Sequence, residues 1–192
     1  MARLFLAISL PEKVKNRLAA LQKELAKSQA DVRWVRPEGL HLTLKFFGQV
    51  PEEKIERLSS VITKVIEALK PGPMHLGLKG VGTFPPGGRA PRVVWVGLYG
   101  RLDTLAKLQN ALEEAFAKWG FEKEKRRFVP HITLGRVKSK RRVDRLREEV
   151  LRLQEKEFFA PQEIEVKELT LYQSILKPTG AVYLPLKKFP LK

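Results

Sequence analysis

The sequence contains no cysteine, which excludes disulfide bonds, thiolate metal sites and cysteine nucleophiles. No apolar run approaches the ~20 residues that span a bilayer. The apolar start, Met1 to Pro11, is too short for a secretory signal. Histidine is scarce, with three in 192 residues. These absences favour a soluble cytoplasmic protein with few side chains that exchange protons near neutral pH.

Basic residues outnumber acidic ones. The chain has 37 Lys and Arg against 21 Asp and Glu, a formal net charge of +16. Residues 123–147 hold eleven basic and two acidic residues, a net charge of +9 in about an eighth of the chain. A polyanion such as RNA fits this charge, because phosphate contacts dominate nucleic-acid affinity. A solvated basic surface of the kind found in heat-adapted proteins fits it equally well.

Two of the three histidines occur in the same four-residue pattern, His41-Leu42-Thr43-Leu44 and His131-Ile132-Thr133-Leu134. Each copy lies in an alternating, β-branched run, Leu40 to Phe47 and Phe128 to Val137. Side chains alternate between the two faces of a strand, so histidine and threonine share one face and the aliphatic residues take the other. The repeat predicts two strands whose polar faces meet, although coincidence remains the alternative.

Two histidines that face each other across a cleft form a self-sufficient acid–base pair, because imidazole titrates near ~6.5. For a phosphodiester, one ring takes a proton from the attacking water or hydroxyl and the other protonates the leaving oxygen. The hydroxyls of Thr43 and Thr133 would bind the non-bridging oxygens. This chemistry needs no metal and no cofactor.

Three further residues are candidates for substrate binding. Strict alternation aims Lys45 and Phe47 at the cleft, where Phe47 would stack on a base, although a place in the core suits this aromatic side chain as well. Alternation sends Arg136 to the opposite face, but Gly135 permits a β-bulge that would re-aim its guanidinium toward a phosphate.

The third histidine, His75, lacks the threonine two residues along and is interpreted as a packing or surface residue. A zinc site built from all three histidines is an alternative, although they show no close ligand spacing and no adjacent carboxylate.

The order of elements predicts an α+β fold. Helical and extended segments alternate, yet hairpin-like pairs and short turns intervene, which favours a mostly antiparallel sheet over a doubly wound parallel one. Each half of the chain carries a helix, a strand with His-x-Thr, and another helix. We therefore expect residues 1–192 to form one bilobal, pseudo-two-fold domain around a central cleft.

The two motifs and their surroundings resemble the two-histidine phosphoesterase superfamily. The similarity includes the segments Arg3-Leu4-Phe5-Leu6-Ala7-Ile8, Gly82-Thr83-Phe84-Pro85 and Pro91-Arg92-Val93-Val94-Trp95-Val96-Gly97. Within the superfamily, the chain is similar to the RNA 2′,3′-cyclic phosphodiesterases, also called the bacterial and archaeal 2′-5′ RNA ligase family.

This resemblance implies two mostly antiparallel sheets with outer helices around the cleft, and a reaction independent of metal and nucleotide. A terminal 2′,3′-cyclic phosphate would be opened to a 2′-phosphate. His41 would protonate the leaving 3′ oxygen, His131 would activate water, and Thr43, Thr133 and Arg136 would hold the phosphate. The reverse reaction would join a cyclic end to a 5′-hydroxyl. The expected partner of this monomer is RNA with a cyclic phosphate end, tRNA halves being one candidate.

Two other functions remain open at this level. One is a non-catalytic module that binds RNA through the basic stretch. The other is a phosphodiesterase for small cyclic nucleotides such as ADP-ribose cyclic phosphate.

Overall fold

The computed structural model describes residues 1–87, 89–155 and 163–192. The strands in chain order are β1 (Ala2–Ser9), β2 (Val32–Trp34), β3 (His41–Val50), β4 (Met74–Phe84), β5 (Val93–Gly100), β6 (His131–Val137), β7 (Glu163–Val166), β8 (Glu168–Lys177) and β9 (Gly180–Pro190). The helices are α1 (Glu12–Ala26), α2 (Ile55–Leu69), α3 (Leu102–Lys118) and α4 (Val143–Glu155).

The strands pair antiparallel in the order β7-β4-β5-β6-β3-β1-β8-β9, and β2 pairs with β6 outside this path. The order is symmetric about its centre, between β6 and β3. Counted outward from the centre, β3 corresponds to β6, β1 to β5, β8 to β4 and β9 to β7. We call the two sets of strands the β3 half and the β6 half. The pseudo-two-fold axis therefore passes between β3 and β6, the two strands that begin with histidine.

The two halves meet at one register pair, Leu42 opposite Ile132, which we call the seam. The expected two sheets are thus the two halves of one continuous hydrogen-bonded ladder.

Helices cover the outer face of each half. Helices α2 and α3 pack together on the β3 half, whereas α1 and α4 pack together on the β6 half. The apolar faces of β1, with Leu4, Leu6 and Ile8, and of the helices enclose one hydrophobic core. Burial of these aliphatic side chains holds the helices on the sheet, since each fully buried side chain contributes roughly 1.5–3 kcal/mol.

The α+β class, the dominant antiparallel pairing and the outer helices are confirmed. In the described ranges, no helix combines the length and apolar character required to cross a bilayer.

Candidate active site

His41 and His131 are the first residues of β3 and β6, the two strands that meet at the seam. The seam residues Leu42 and Ile132 are 2% and 0% exposed, and both point into the core. Directly opposed residues of an antiparallel pair project to the same face. His41 and His131 therefore lie with Thr43 and Thr133 on the opposite face, beside one another across the seam. We call it the cleft face.

Both imidazole rings are held by the same backbone contact. His41 Nδ1 lies 2.6 Å from the Gly39 carbonyl oxygen, and His131 Nδ1 lies 2.7 Å from the Val129 carbonyl oxygen. A carbonyl oxygen only accepts, so Nδ1 carries the proton and donates in each ring. Nε2 remains the ring nitrogen available to a substrate.

Aromatic side chains surround His41. The ring of Phe5, on the neighbouring strand β1, stacks on the imidazole at a centroid distance of 4.8 Å, and Tyr183 contacts it edge-on at 5.3 Å. The pKa of His41 is lowered from 6.5 to about 4, and burial in this shell is the largest cause. The hydrogen bond to Gly39 acts in the opposite direction, and the positive charge of Lys15 contributes to the lowering. The substrate-free ring is neutral at pH 7.

His131 has a related setting in the β6 half. The Phe84 ring meets the His131 imidazole edge-on at a centroid distance of 5.0 Å. The indole ring of Trp95 stacks on Phe84 at 5.1 Å. The indole covers Gly82, where an added Cβ would lie 2.3 Å from the ring. Glycine at that position lets Trp95 lie flat against β4.

A β-bulge turns Arg136 toward the cleft. Trp95 pairs with Thr133 and Val94 with Gly135, which leaves Leu134 as the extra residue. After this bulge, Arg136 pairs with Val93 and returns to the face of His131. The re-aiming of Arg136 expected from Gly135 therefore occurs, and the guanidinium side chain is exposed.

The equivalent bulge in β3 overturns the alternation expected for Lys45 and Phe47. Leu44 is the extra residue there, since Ala7 pairs with Thr43 and Leu6 with Lys45. Lys45 consequently projects to the helix side with the buried Leu6, and Phe46 takes the position on the cleft face.

A second irregularity follows in β3 at Phe47, between Phe46 and Gly48. The Phe47 ring packs against Phe116 and Phe121 at centroid distances of 4.9 and 5.3 Å. The expectation that it faces the cleft is wrong, because the bulges break the period of two, and the alternative of a packed aromatic side chain is correct.

Lys45 forms a buried ion pair with Glu113 of α3. Its Nζ lies 2.9 Å from Glu113 Oε1, and the two side chains are 8% and 7% exposed. Lys45 Nζ also donates to the Glu122 carbonyl at 2.7 Å, and Glu113 Oε2 accepts from the Glu124 backbone N–H at 3.2 Å. The pair therefore ties the segment after α3, which leads to His131, to strand β3.

Comparisons with known proteins identify the family of this chain. The family model described as the 2′-5′ RNA ligase superfamily matches residues 10–177. The chain belongs to this superfamily. A protein of Methanothermobacter thermautotrophicus named RNA 2′,3′-cyclic phosphodiesterase is 38% identical over 189 residues, covering 98% of each chain. A Thermotoga maritima protein of the same name is 34% identical over 182 residues, covering 94% of this chain and 91% of the relative.

Solved structures of the superfamily share the fold. E. coli LigT complexed with 3′-AMP superimposes with a TM-score of 0.75 at 30% identity, covering 99% of this chain and 98% of that one. The family resemblance inferred from the two His-x-Thr motifs is therefore confirmed.

Two glutamines that sequence reasoning missed support the bulges of this superfamily member. Gln109 of α3 donates to the Leu44 carbonyl at 3.3 Å. Gln22 of α1 donates to the Leu134 carbonyl at 2.9 Å and to the Val35 carbonyl at 2.7 Å. Each bulged leucine thus has its carbonyl satisfied by a buried amide from the helix behind it. The only sequence signal is a polar residue on the apolar face of each helix.

A polar pair in the cleft was also missed. Ser9 Oγ, on the strand beside His41, lies 2.5 Å from the Tyr172 hydroxyl, and the Tyr172 ring stacks on Phe5 at 5.2 Å. These residues come from opposite ends of the chain, so no local pattern connects them.

The third histidine lies away from the seam. His75 is on β4, and β5 separates this strand from β6. Within residues 1–87, 89–155 and 163–192, no three His, Asp or Glu side chains are grouped so that they could hold a metal ion. The three histidines therefore do not form the zinc site considered from the sequence.

Proposed function

We propose that this protein opens the terminal 2′,3′-cyclic phosphate of RNA to a 2′-phosphate, with His41 and His131 as the acid–base pair. The single observation that carries the proposal is the register at the seam, where Leu42 pairs with Ile132 and both His-x-Thr faces turn to the same cleft. The names of the homologues support the substrate class, since the relatives above are called RNA 2′,3′-cyclic phosphodiesterases.

The proposed reaction uses two proton transfers. His131 Nε2 takes a proton from water as the water oxygen forms a bond to phosphorus. The bond from phosphorus to the 3′ oxygen breaks, and His41 Nε2 gives a proton to that oxygen. The products are a 2′-phosphate and a free 3′-hydroxyl. Thr43, Thr133 and Arg136 would stabilise the non-bridging oxygens, where negative charge develops in the transition state.

The donor role of His41 requires that substrate changes its protonation. The low pKa of His41, caused by burial, leaves the free ring neutral at pH 7. A phosphodiester anion bound beside the ring favours its charged form and raises its pKa. In this proposal, the substrate's own charge makes His41 an acid.

Two residues that differ between the halves would orient the substrate in the pseudo-symmetric site. Arg136 follows the bulge beside His131, and Phe46 occupies the equivalent position beside His41. A guanidinium favours the phosphate on its side, whereas an exposed aromatic ring favours a base. The reverse reaction, attack of a 5′-hydroxyl on the same phosphorus, would give a 2′-5′ linkage.

The decisive assay incubates the protein with an oligonucleotide that ends in a 2′,3′-cyclic phosphate, with chelator present, and identifies the hydroxyl that keeps the phosphate. We expect a 2′-phosphate product. His41→Ala and His131→Ala should each lose ~10²–10⁴-fold in turnover, whereas His75→Ala serves as the matched control with full activity. Chelator-sensitive hydrolysis that survives both alanine variants would refute the proposal.

An activated substrate separates the roles of the two histidines. A cyclic-phosphate analogue with an aryl leaving group needs no proton on the departing oxygen. His41→Ala should therefore recover most of its activity on this substrate, while His131→Ala should not. Recovery by His131→Ala alone would reverse the two roles.

The same experiments address the other functions left open by the sequence. A non-catalytic RNA-binding module would bind RNA in a salt-dependent manner without turnover. A phosphodiesterase specific for small nucleotides would process a cyclic mononucleotide and fail on the oligonucleotide.

A further inference from the structure

The basic stretch 123–147 is divided by the fold into two separate surfaces. Residues 123–127 follow α3 and lie over the β3 half, whereas residues from Arg136 onward belong to β6 and α4 of the β6 half. Residues 123–126 of the first surface line a groove together with the exposed Phe46.

A groove of about 430 Å³ begins at the cleft face and runs beside the segment after α3. Phe46, whose side chain is 63% exposed, lies at its cleft end next to Phe5. Lys125 and Arg126 line the groove with Phe121, and Lys123 is paired with Glu114. Two carboxylates, those of Glu122 and Glu124, also line it and partly offset the positive charge.

A second groove, of about 290 Å³, lies next to the first at Phe121, which lines both. Its charged lining residues are all basic: Lys54, Arg57 and Lys118. Trp119, at the end of α3, is 43% exposed, and the Arg57 guanidinium lies 3.7 Å above its ring. An indole that a cation holds in place and that stays partly exposed can stack on a base.

We propose that these two grooves form a track for the single-stranded RNA that precedes the cyclic phosphate, an inference that rests on the proposed function. A 2′,3′-cyclic phosphate occupies the 3′ end, so the rest of the chain extends from the cleft in the 5′ direction. Alternating cations and exposed aromatic rings are what a single strand requires, since phosphates contact the cations and bases stack on the rings. Phe46 receives a base near the cleft, and Trp119 receives one farther along.

The test measures KM for substrates of increasing length that all end in a 2′,3′-cyclic phosphate, from a mononucleotide to an octanucleotide. For the wild-type protein, KM falls as the strand reaches Trp119. Trp119→Ala raises KM for the long substrate about 5- to 100-fold, as loss of one stacked base does. Turnover of the mononucleotide is unchanged, because this substrate does not reach Trp119.

Charge on the track is tested with a matched pair of double variants. Arg57→Ala/Lys118→Ala removes two cations from the track, and Lys140→Ala/Arg141→Ala removes two exposed cations from the turn before α4. Only Arg57→Ala/Lys118→Ala reduces the slope of log KM against log salt concentration for the long substrate. The expected reduction is roughly 1.4, for two phosphate contacts to a single strand.

The results separate this inference from the proposed function. A KM that does not depend on substrate length in the wild-type protein would overturn the track. So would a length dependence that is lost in Lys140→Ala/Arg141→Ala but kept in Arg57→Ala/Lys118→Ala. Failure to open the cyclic phosphate at every length, from the mononucleotide to the octanucleotide, would overturn the proposed function. Thermal unfolding of each variant ensures that a changed KM does not reflect partial unfolding.

Discussion

Replacement of Glu113 tests whether Lys45 is a structural or a substrate-binding residue. Glu113→Gln keeps the shape of the side chain but removes the charge that faces Lys45 Nζ at 2.9 Å. Both side chains are less than a tenth exposed, so the remaining ammonium group stays buried without a counterion. Breaking a buried pair in this way costs about 3–5 kcal/mol, a large part of the 5–15 kcal/mol typical of a domain.

Removing both charges together should cost less than removing one. Lys45→Met/Glu113→Leu fills a similar volume with apolar atoms, and replacement of this kind is often neutral. The backbone groups of Glu122 and Glu124 lose their partners, at about 1 kcal/mol each. We therefore expect the double variant to lose about 2 kcal/mol, less than either Glu113→Gln or Lys45→Met alone.

Urea unfolding followed by circular dichroism measures these differences from the shift of the midpoint at constant slope. The exposed pair of Lys188 and Glu168, 3.2 Å apart, is the control, and Glu168→Gln should cost less than about 1 kcal/mol. Suppose instead that Lys45→Met leaves stability intact and raises KM for a cyclic mononucleotide. Lys45 would then contact substrate, as strict alternation suggested, and the buried-pair interpretation would be refuted.

Three further predictions concern the site. Gly135→Ala should destabilise the protein by about 1–3 kcal/mol and raise KM, because the new Cβ would lie 2.6 Å from Val32; an unchanged Tm would contradict this. Gln22→Leu should leave the Leu134 carbonyl unsatisfied, lowering stability by about 1–3 kcal/mol and weakening phosphate binding through Arg136, with inorganic phosphate inhibition as the readout. The pKa of His41 is lowered to about 4, mainly by burial, so the unfolded chain binds the proton first as pH falls from 6.5. The free energy of unfolding should therefore drop by up to about 3 kcal/mol by pH 4, relative to His41→Asn. Parallel curves of stability against pH for the two proteins would contradict this prediction.

The histidine strands could be predicted because alternation holds over the residues that matter most. From His41 to Thr43, and from His131 to Thr133, the period of two is unbroken, and the neighbouring aliphatic residues are buried as the pattern requires. The prediction failed one residue later, at Leu44, where the strand bulges. Gly135 signals the bulge in β6, but Lys45 occupies the equivalent position in β3 and gives no local signal.

The surroundings of the histidines depend on contacts between distant parts of the chain. Tyr183 reaches His41 from a strand near the C-terminus, and Gln109 reaches the Leu44 carbonyl from a helix 65 residues away. One sequence contains no information on which strand of one half lies beside which strand of the other. The pKa of His41 follows from that packing and therefore could not be predicted from the sequence.

The seam affects the distance between the two imidazole rings. The histidine strands are each bound along their length to a partner in their own half, but they meet one another at a single register pair. The spacing of the two imidazoles therefore depends on this one ladder pair and on how the buried side chains of Leu42 and Ile132 pack behind it. A change of one methyl group in that contact would alter the geometry of proton transfer without touching a single polar atom.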